Sequence, residues 1–176
     1  MMDSVSEQRL SQVCPALAIR VRAMSDALVS QGIYIRVVQG LRTVDEQNTL
    51  YNQGRTTPGK IVTNCKGGYS YHNFGLGVDC IPSTQDPDQP FAPDWNESHP
   101  DWRAMINAGE AQGLNAGGDW RTFKDYPHFQ LTGSWPVGAP PDTVRILFRS
   151  GGLQAVWNAL TIDPAPVLTD DEGGTQ

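Results

Sequence analysis

The stretch Ser70-Tyr71-His72-Asn73-Phe74-Gly75-Leu76-Gly77-Val78-Asp79 decides the reading of this chain. Its glycines punctuate a loop and release residues 77–81 as a short strand. On that strand Asp79 takes one face, and Cys80 takes the other and points into the core. His72 therefore sits on a loop with a carboxylate seven residues later on a strand, which lets both converge on one point. A second histidine, in Asp125-Tyr126-Pro127-His128, has a carboxylate three residues before it that can stand beside a metal without binding it. Two neutral imidazoles and one carboxylate leave a fourth tetrahedral position for water, the open arrangement of a catalytic rather than a structural zinc site. Zinc lowers the pKa of such a water to about 7, and Asp125 fits the role of the base that takes its proton. The same donor types form the facial triad of non-haem iron oxygenases, but the His-x-Asp start of those enzymes is absent.

Working outward from this stretch, apolar residues upstream recur at helical spacing at Val13, Leu17, Val21, Met24 and Leu28, and Gly32 supplies a stop. Residues 33–38 read as a strand ended by Gly40. Thr43 and Glu46 have capping-box spacing for a helix running to about Asn52, so Arg42 sits at a strand-to-helix junction, a rigid place from which to offer paired donors. Residues 54–59 read as a loop leading into a short strand at 61–64. Downstream, the proline and aspartate density of 82–93 marks a surface loop. Ser98 or His99 before Pro100 reads as a helix start, 102–112 as the helix and Gly113 as its stop. A last strand is expected at 128–131, then a connector at 136–141 and two short helices at 143–148 and 153–160. This order predicts an α+β domain in which a small antiparallel sheet flanked by helices carries the metal. The expected organisation is a catalytic domain at 1–135, a helical extension at 136–162 and a disordered tail at 163–176.

The totals narrow the function classes. With 176 residues, 39% of them hydrophobic, the chain can bury a real core in one catalytic domain. A formal charge of −6 argues against a nucleic-acid partner held by a basic surface. No stretch approaches the roughly 20 apolar residues needed to cross a bilayer. Residues 1–12 lack the apolar run of a secretory signal, so the expectation is a protein made in the cytoplasm, and it is expected to be a monomer. Cys14, Cys65 and Cys80 form neither an even framework nor a Cys-x-x-Cys pair and read as reduced, packed thiols.

One family unites the motifs. Gly40-Leu41-Arg42-Thr43, Glu46-Gln47, Leu50-Tyr51, Gln53-Gly54-Arg55-Thr56, Ser70-x-His72-x-x-Gly75-x-x-x-Asp79, Gly117-Gly118-Asp119-Trp120 and Asp125-x-Pro127-His128-Phe129-Gln130 keep their order over residues 10–132. Together they resemble the zinc peptidase family of D-alanyl-D-alanine carboxypeptidases and dipeptidases, and within it the L-alanyl-D-glutamate endopeptidases of phage endolysins and bacterial wall hydrolases. The resemblance implies one catalytic Zn2+ bound by His72, Asp79 and His128, with Asp125 as general base and acid. It implies that Arg42 steadies the oxyanion and that Ser70 helps shape the pocket. Ser70 reads equally well as a loop hydroxyl bonding its own backbone, and not as a nucleophile, because no third histidine pairs with it. Gln130 is open between a partner of the metal site and a core residue, and Trp120 between a pocket wall and a rim residue. His99 reads as a solvated helix-start histidine.

The expected substrate is bacterial peptidoglycan, cut at the L-alanyl-D-glutamate bond. The run from 46 to 63, which looks like the endolysin branch, places this in phage lysis: accumulation in the host cytoplasm, release by a phage holin, and action in the periplasm and wall. The alternatives are a D-alanyl-D-alanine carboxypeptidase and an inactive wall-binding module; the latter has no need of Asp125 or Arg42. No wall-binding repeat marks the last forty-odd residues, so the helices there are expected to pack on the catalytic domain. Contact of 144–160 with anionic lipids, through Arg145 and Arg149, is the lesser alternative.

Overall fold

Leu17, Val21, Met24 and Leu28 form one stripe of a helix and are fully buried in the computed structural model, which describes residues 2–83 and 91–162. The helix, α2 (Pro15–Val29), begins with proline at its first turn, where a missing N–H costs nothing. Val13 is buried just outside it, one residue before the Cys14 cap. Two elements come from patterns too short to read: α1 (Ser4–Leu10), capped by Asp3, and the two-residue strand β3 (Asn115–Ala116). The rest follow as β1 (Tyr34–Gln39), α3 (Val44–Asn52), β2 (Gly77–Ser83), α4 (Pro100–Ala111), β4 (His128–Gln130) and α5 (Asp142–Ala159).

The four strands form one antiparallel sheet in the order β1-β2-β4-β3, so the expected α+β class with helices flanking a small sheet is what the chain adopts. α2 and α4 cover one face, where Trp102, Met105 and Ile106 are fully buried with Phe129 of β4. α1 guards the outer edge of β1. The Val37 amide donates to the Ser6 hydroxyl at 3.0 Å, and Arg9 donates to the Val37 carbonyl at 2.6 Å. Side chains thus satisfy backbone groups that an open edge would leave for aggregation.

The strand expected at 61–64 does not form. That segment has no sheet partner, and side chains of α3 and of the turn after it bond the chain at and just before it. Gln53 donates to the Lys60 carbonyl at 3.1 Å, and Arg55 to the Thr63 carbonyl at 3.0 Å and to the Asn64 side chain at 3.0 Å. β-branched composition made a strand plausible, but nearby donors outcompeted a ladder. The end of β2 reaches Ser83, one step into the expected loop at 82–93, of which 84–90 lie outside the described residues. The two expected C-terminal helices are the arms of α5, broken at Gly151 and Gly152. They pack on the domain through Val144 and Val156, both fully buried, and Phe148 meets Phe74 edge to face at 5.5 Å. The expected disordered tail lies outside the described residues.

Close approach of α4 to the sheet requires Gly109. A methyl there would lie 2.4 Å from the Phe129 ring. Gly109→Ala is expected to lower stability by about 1–3 kcal/mol through overpacking, read as a shift in urea midpoint. The N-terminal clamp supplies a second test. Burial lifts the Asp3 carboxyl, but the Ser6 amide and the Arg36 guanidinium, 3.0 Å away, outweigh it and hold its pKa below the ordinary aspartate value. The ionised group therefore stabilises the fold above the unfolded-chain pKa of about 3.9, and that stabilisation is lost as pH falls through the lower folded value. Asp3→Asn should flatten the stability–pH curve at its acid end; an unchanged acid limb would contradict the clamp.

Candidate metal centre

His72 lies in a single 3-10 turn, Tyr71–Phe74, whose start is capped by the Ser70 hydroxyl accepting from the His72 amide at 3.3 Å. Ser70 is thus a turn-forming hydroxyl beside His72, and it also lines the cleft. Asn73, buried in the same turn, donates its amide N–H groups to the carbonyls of Arg42 and Thr43 at 2.9 and 3.1 Å, and its oxygen accepts from Gly68 at 2.9 Å. The Arg42 amide in turn donates to the His72 carbonyl at 3.0 Å. The junction between β1 and α3 is therefore laced to the turn that carries the histidine. From the other side, Trp157 of α5 donates to the Phe74 carbonyl at 2.7 Å.

Asp79 and His128 are direct cross-strand partners on β2 and β4, so their side chains rise from the same face of the sheet. Cys80 is fully buried on the opposite face, where strand alternation puts it. Next to them Gly77 leaves room for both rings. An added methyl would stand 3.3 Å from the His128 ring and 3.4 Å from that of His72.

Three donor atoms converge here. His72 Nε2 is 3.1 Å from Asp79 Oδ1 and 3.1 Å from His128 Nδ1, and His128 Nδ1 is 3.2 Å from Asp79 Oδ1. The far nitrogen of each ring decides what the near one carries. His72 Nδ1 faces the Gly40 carbonyl at 2.8 Å, which can only accept, so the ring proton sits there. Gln130 donates its Nε2 to the Val137 carbonyl at 2.7 Å, which turns its oxygen toward His128 Nε2 at 2.9 Å and places that ring's proton on Nε2. Both neutral imidazoles therefore point lone pairs at a carboxylate oxygen and at each other. Such a cluster is repulsive without a cation at its centre. The separations match the roughly 3.3 Å edge expected of donors about 2.0–2.1 Å from one tetrahedral ion. His72, Asp79 and His128 are the one group among the described residues that could hold a metal, and their donor chemistry fits zinc.

Burial and charge also shift proton affinities within the cluster. Burial pulls the His128 imidazole down, but the Asp79 carboxylate outweighs it and raises its pKa above the ordinary value. Burial likewise lifts Asp79, and the two imidazoles reverse this and hold it well below the usual carboxylate range. Arg42 donates to the other Asp79 oxygen at 3.3 Å, leaving Oδ1 for the cluster.

The three donors form the floor of a cleft of about 470 Å3 that Arg42, Asp125 and Trp120 also line. Asp125 is half-buried at the turn entering β4, where its carbonyl accepts from the His128 amide at 3.1 Å. Its carboxyl is lifted above the ordinary value, by burial first and then by the Asp79 charge, with the histidines and Arg42 opposing. Trp120 is a wall of the cleft, its ring 5.2 Å from that of His128. His99 is remote and caps α4, accepting from the Asp101 amide at 3.3 Å. Every site residue expected from the sequence thus meets in one cleft. Asn73, Gln47 and the Gly40 carbonyl were not foreseen; all three residues stand in the quoted stretches, but nothing local marked their partners.

Comparison with known proteins points the same way. A family model described as D-alanyl-D-alanine carboxypeptidase matches residues 63–131, a span that holds His72, Asp79, Asp125 and His128 but not Arg42. The chain is 36% identical over 125 residues to the peptidoglycan L-alanyl-D-glutamate endopeptidase CwlK of Bacillus subtilis (strain 168), covering 69% of this chain and 74% of that one. It is similar in structure to the Serratia marcescens L-Ala D-Glu endopeptidase ChiX, with a TM-score of 0.53 and 25% identity over 74% of this chain and 89% of that one.

If Gln130 fixes the His128 tautomer, Gln130→Leu should weaken metal binding by about 10–100-fold in a chelator competition while the protein stays folded. Unchanged affinity would mean that the ring orients itself without this amide.

Proposed function

The chain belongs to the metallopeptidase family of D-alanyl-D-alanine carboxypeptidases and L-alanyl-D-glutamate endopeptidases, and from that premise we propose that it is a zinc-dependent peptidoglycan endopeptidase cutting the L-alanyl-D-glutamate bond of wall stem peptides. The observation that carries the metal chemistry is the meeting of three lone pairs from His72, Asp79 and His128. These residues would hold the ion. When bound, zinc supplies Lewis acidity, polarising the scissile carbonyl and lowering the pKa of a water to about 7.

The remaining work falls to the chain's own side chains. Asp125 faces the same cleft with a carboxyl whose proton affinity is raised, which suits it to take a proton from the attacking water and deliver it to the leaving amine. Arg42, anchored on Asp79 and Gln47, has further N–H donors for the developing oxyanion, a contact typically worth about 3 kcal/mol. The identity to an L-alanyl-D-glutamate endopeptidase supports the choice of bond. A carboxypeptidase must also grip a free terminal carboxylate. Among the described residues the only lysine or arginine lining the cleft is Arg42, whose remaining donors are assigned to the oxyanion, which favours internal cleavage. The lysis setting, with a holin releasing the enzyme from the host cytoplasm, is the part of this proposal supported by the endolysin-like run 46–63 alone.

Asp125→Asn is expected to slow clearing of wall suspensions by about 10²–10⁴-fold while zinc content stays at one per chain. Clearing at the parent rate would remove Asp125 from the chemistry. Mass mapping of the digest should find new D-glutamate N-termini; release of D-alanine alone would replace this reading with the carboxypeptidase one.

A further inference from the structure

Gln47 is fully buried on α3, yet its whole amide is spent on the cleft. Its Oε1 accepts from Arg42 Nη1 at 2.8 Å. Its Nε2 donates to the Cys65 carbonyl at 2.9 Å and to the Thr63 hydroxyl at 3.3 Å. The orientation is unambiguous, because a guanidinium can only donate and a carbonyl can only accept. Arg42, Thr63 and Cys65 all line the cleft, and Gln47 lies behind them, out of reach of solvent.

The placement is rigid. The capping box at Thr43 and Glu46 fixes the first turn of α3, and the Gln47 amide donates to the Thr43 carbonyl at 3.1 Å. The wall it holds is the segment that failed to become a strand, so side-chain bonds replace a ladder there. The Thr63 hydroxyl also accepts from the Cys65 amide at 3.2 Å, closing a small turn against Gln47. An apolar side chain at 47 would leave an arginine donor and a carbonyl unpaired at once.

We propose that Gln47 is a positioning residue for the peptidase reaction, one amide that sets the Arg42 guanidinium and the Thr63–Cys65 wall of the cleft in a single register. Gln47 itself touches no substrate. Its two ends serve two stages: the oxygen steadies the arginine that meets the developing oxyanion, and the nitrogen steadies the wall against which the peptide seats. This rests on the endopeptidase reading for the bond cut, but not for the division of labour.

The test is a double-mutant cycle on the zinc-loaded enzyme with a soluble stem peptide containing the L-alanyl-D-glutamate bond. Gln47→Leu is expected to lower kcat about tenfold and raise KM several-fold. In an Arg42→Ala background the same change should lower kcat less than about twofold, because the arginine through which it acts is gone. An equal loss of kcat in both backgrounds would overturn the proposal, since a general loosening of the fold adds to any other defect. Gln47→Glu guards against a misfolded leucine variant. It keeps an acceptor for Arg42 but has no donor for the Cys65 carbonyl, so KM should rise while kcat stays within about threefold of the parent. A fall in kcat matching that of the leucine variant would also overturn it. If the parent leaves this peptide intact but releases D-alanine from a D-alanyl-D-alanine stem, the endopeptidase reading fails by itself and the cycle is scored on that substrate by the same criteria.

Discussion

Two imidazole lone pairs and a carboxylate oxygen, each 3.1–3.2 Å from the others, form the arrangement on which this molecule depends. Left alone they repel, and the rings would turn their protons inward to relieve it. They are prevented from doing so by acceptors that claim those protons from outside: the Gly40 carbonyl for His72 and the Gln130 amide for His128. The cost of holding three acceptors together is offset when a cation enters, so the fold stores an affinity for positive charge at one point.

Much of the architecture serves to keep those outer acceptors in place. Gly40 belongs to the β1–α3 junction, and that junction is tied to the His72 turn by Asn73 and by the Arg42 amide. Gln130 is held by the Val137 carbonyl, beyond the last strand. The first arm of α5 adds a brace in which Arg145 lies 4.1 Å over the ring of Tyr69, one residue before Ser70. In the second arm Trp157 bonds the end of the turn. The C-terminal helix thereby contributes to the rigidity of the site from a distance in sequence, as supporting contacts around a metal commonly do.

The cleft has two kinds of wall. One is the sheet, with β2 and β4 presenting Asp79 and His128 in register. The other is the irregular segment after α3, fastened by Gln47, Gln53 and Arg55. In this second wall side-chain donors take the place of a ladder.

The local signals in the sequence were enough to place α2, the capping box of α3, the His72 loop and the Asp79 strand, because each is set by spacing within about twenty residues. The α+β class and the meeting of His72, Asp79, His128 and Asp125 in one cleft were legible in the same short-range patterns and in their resemblance to one family. Three matters needed the tertiary structure. The direction of each imidazole proton depends on Gly40, 32 residues from His72, and on a Val137 carbonyl reached through Gln130. The irregular course of residues 61–64, against their β-branched composition, depends on donors from Gln53 and Arg55. The place of Gln47 behind the cleft depends on Arg42 and Cys65 arriving from either side. Propensity and periodicity report how a segment behaves alone; which acceptor a buried donor meets is decided only when distant segments pack.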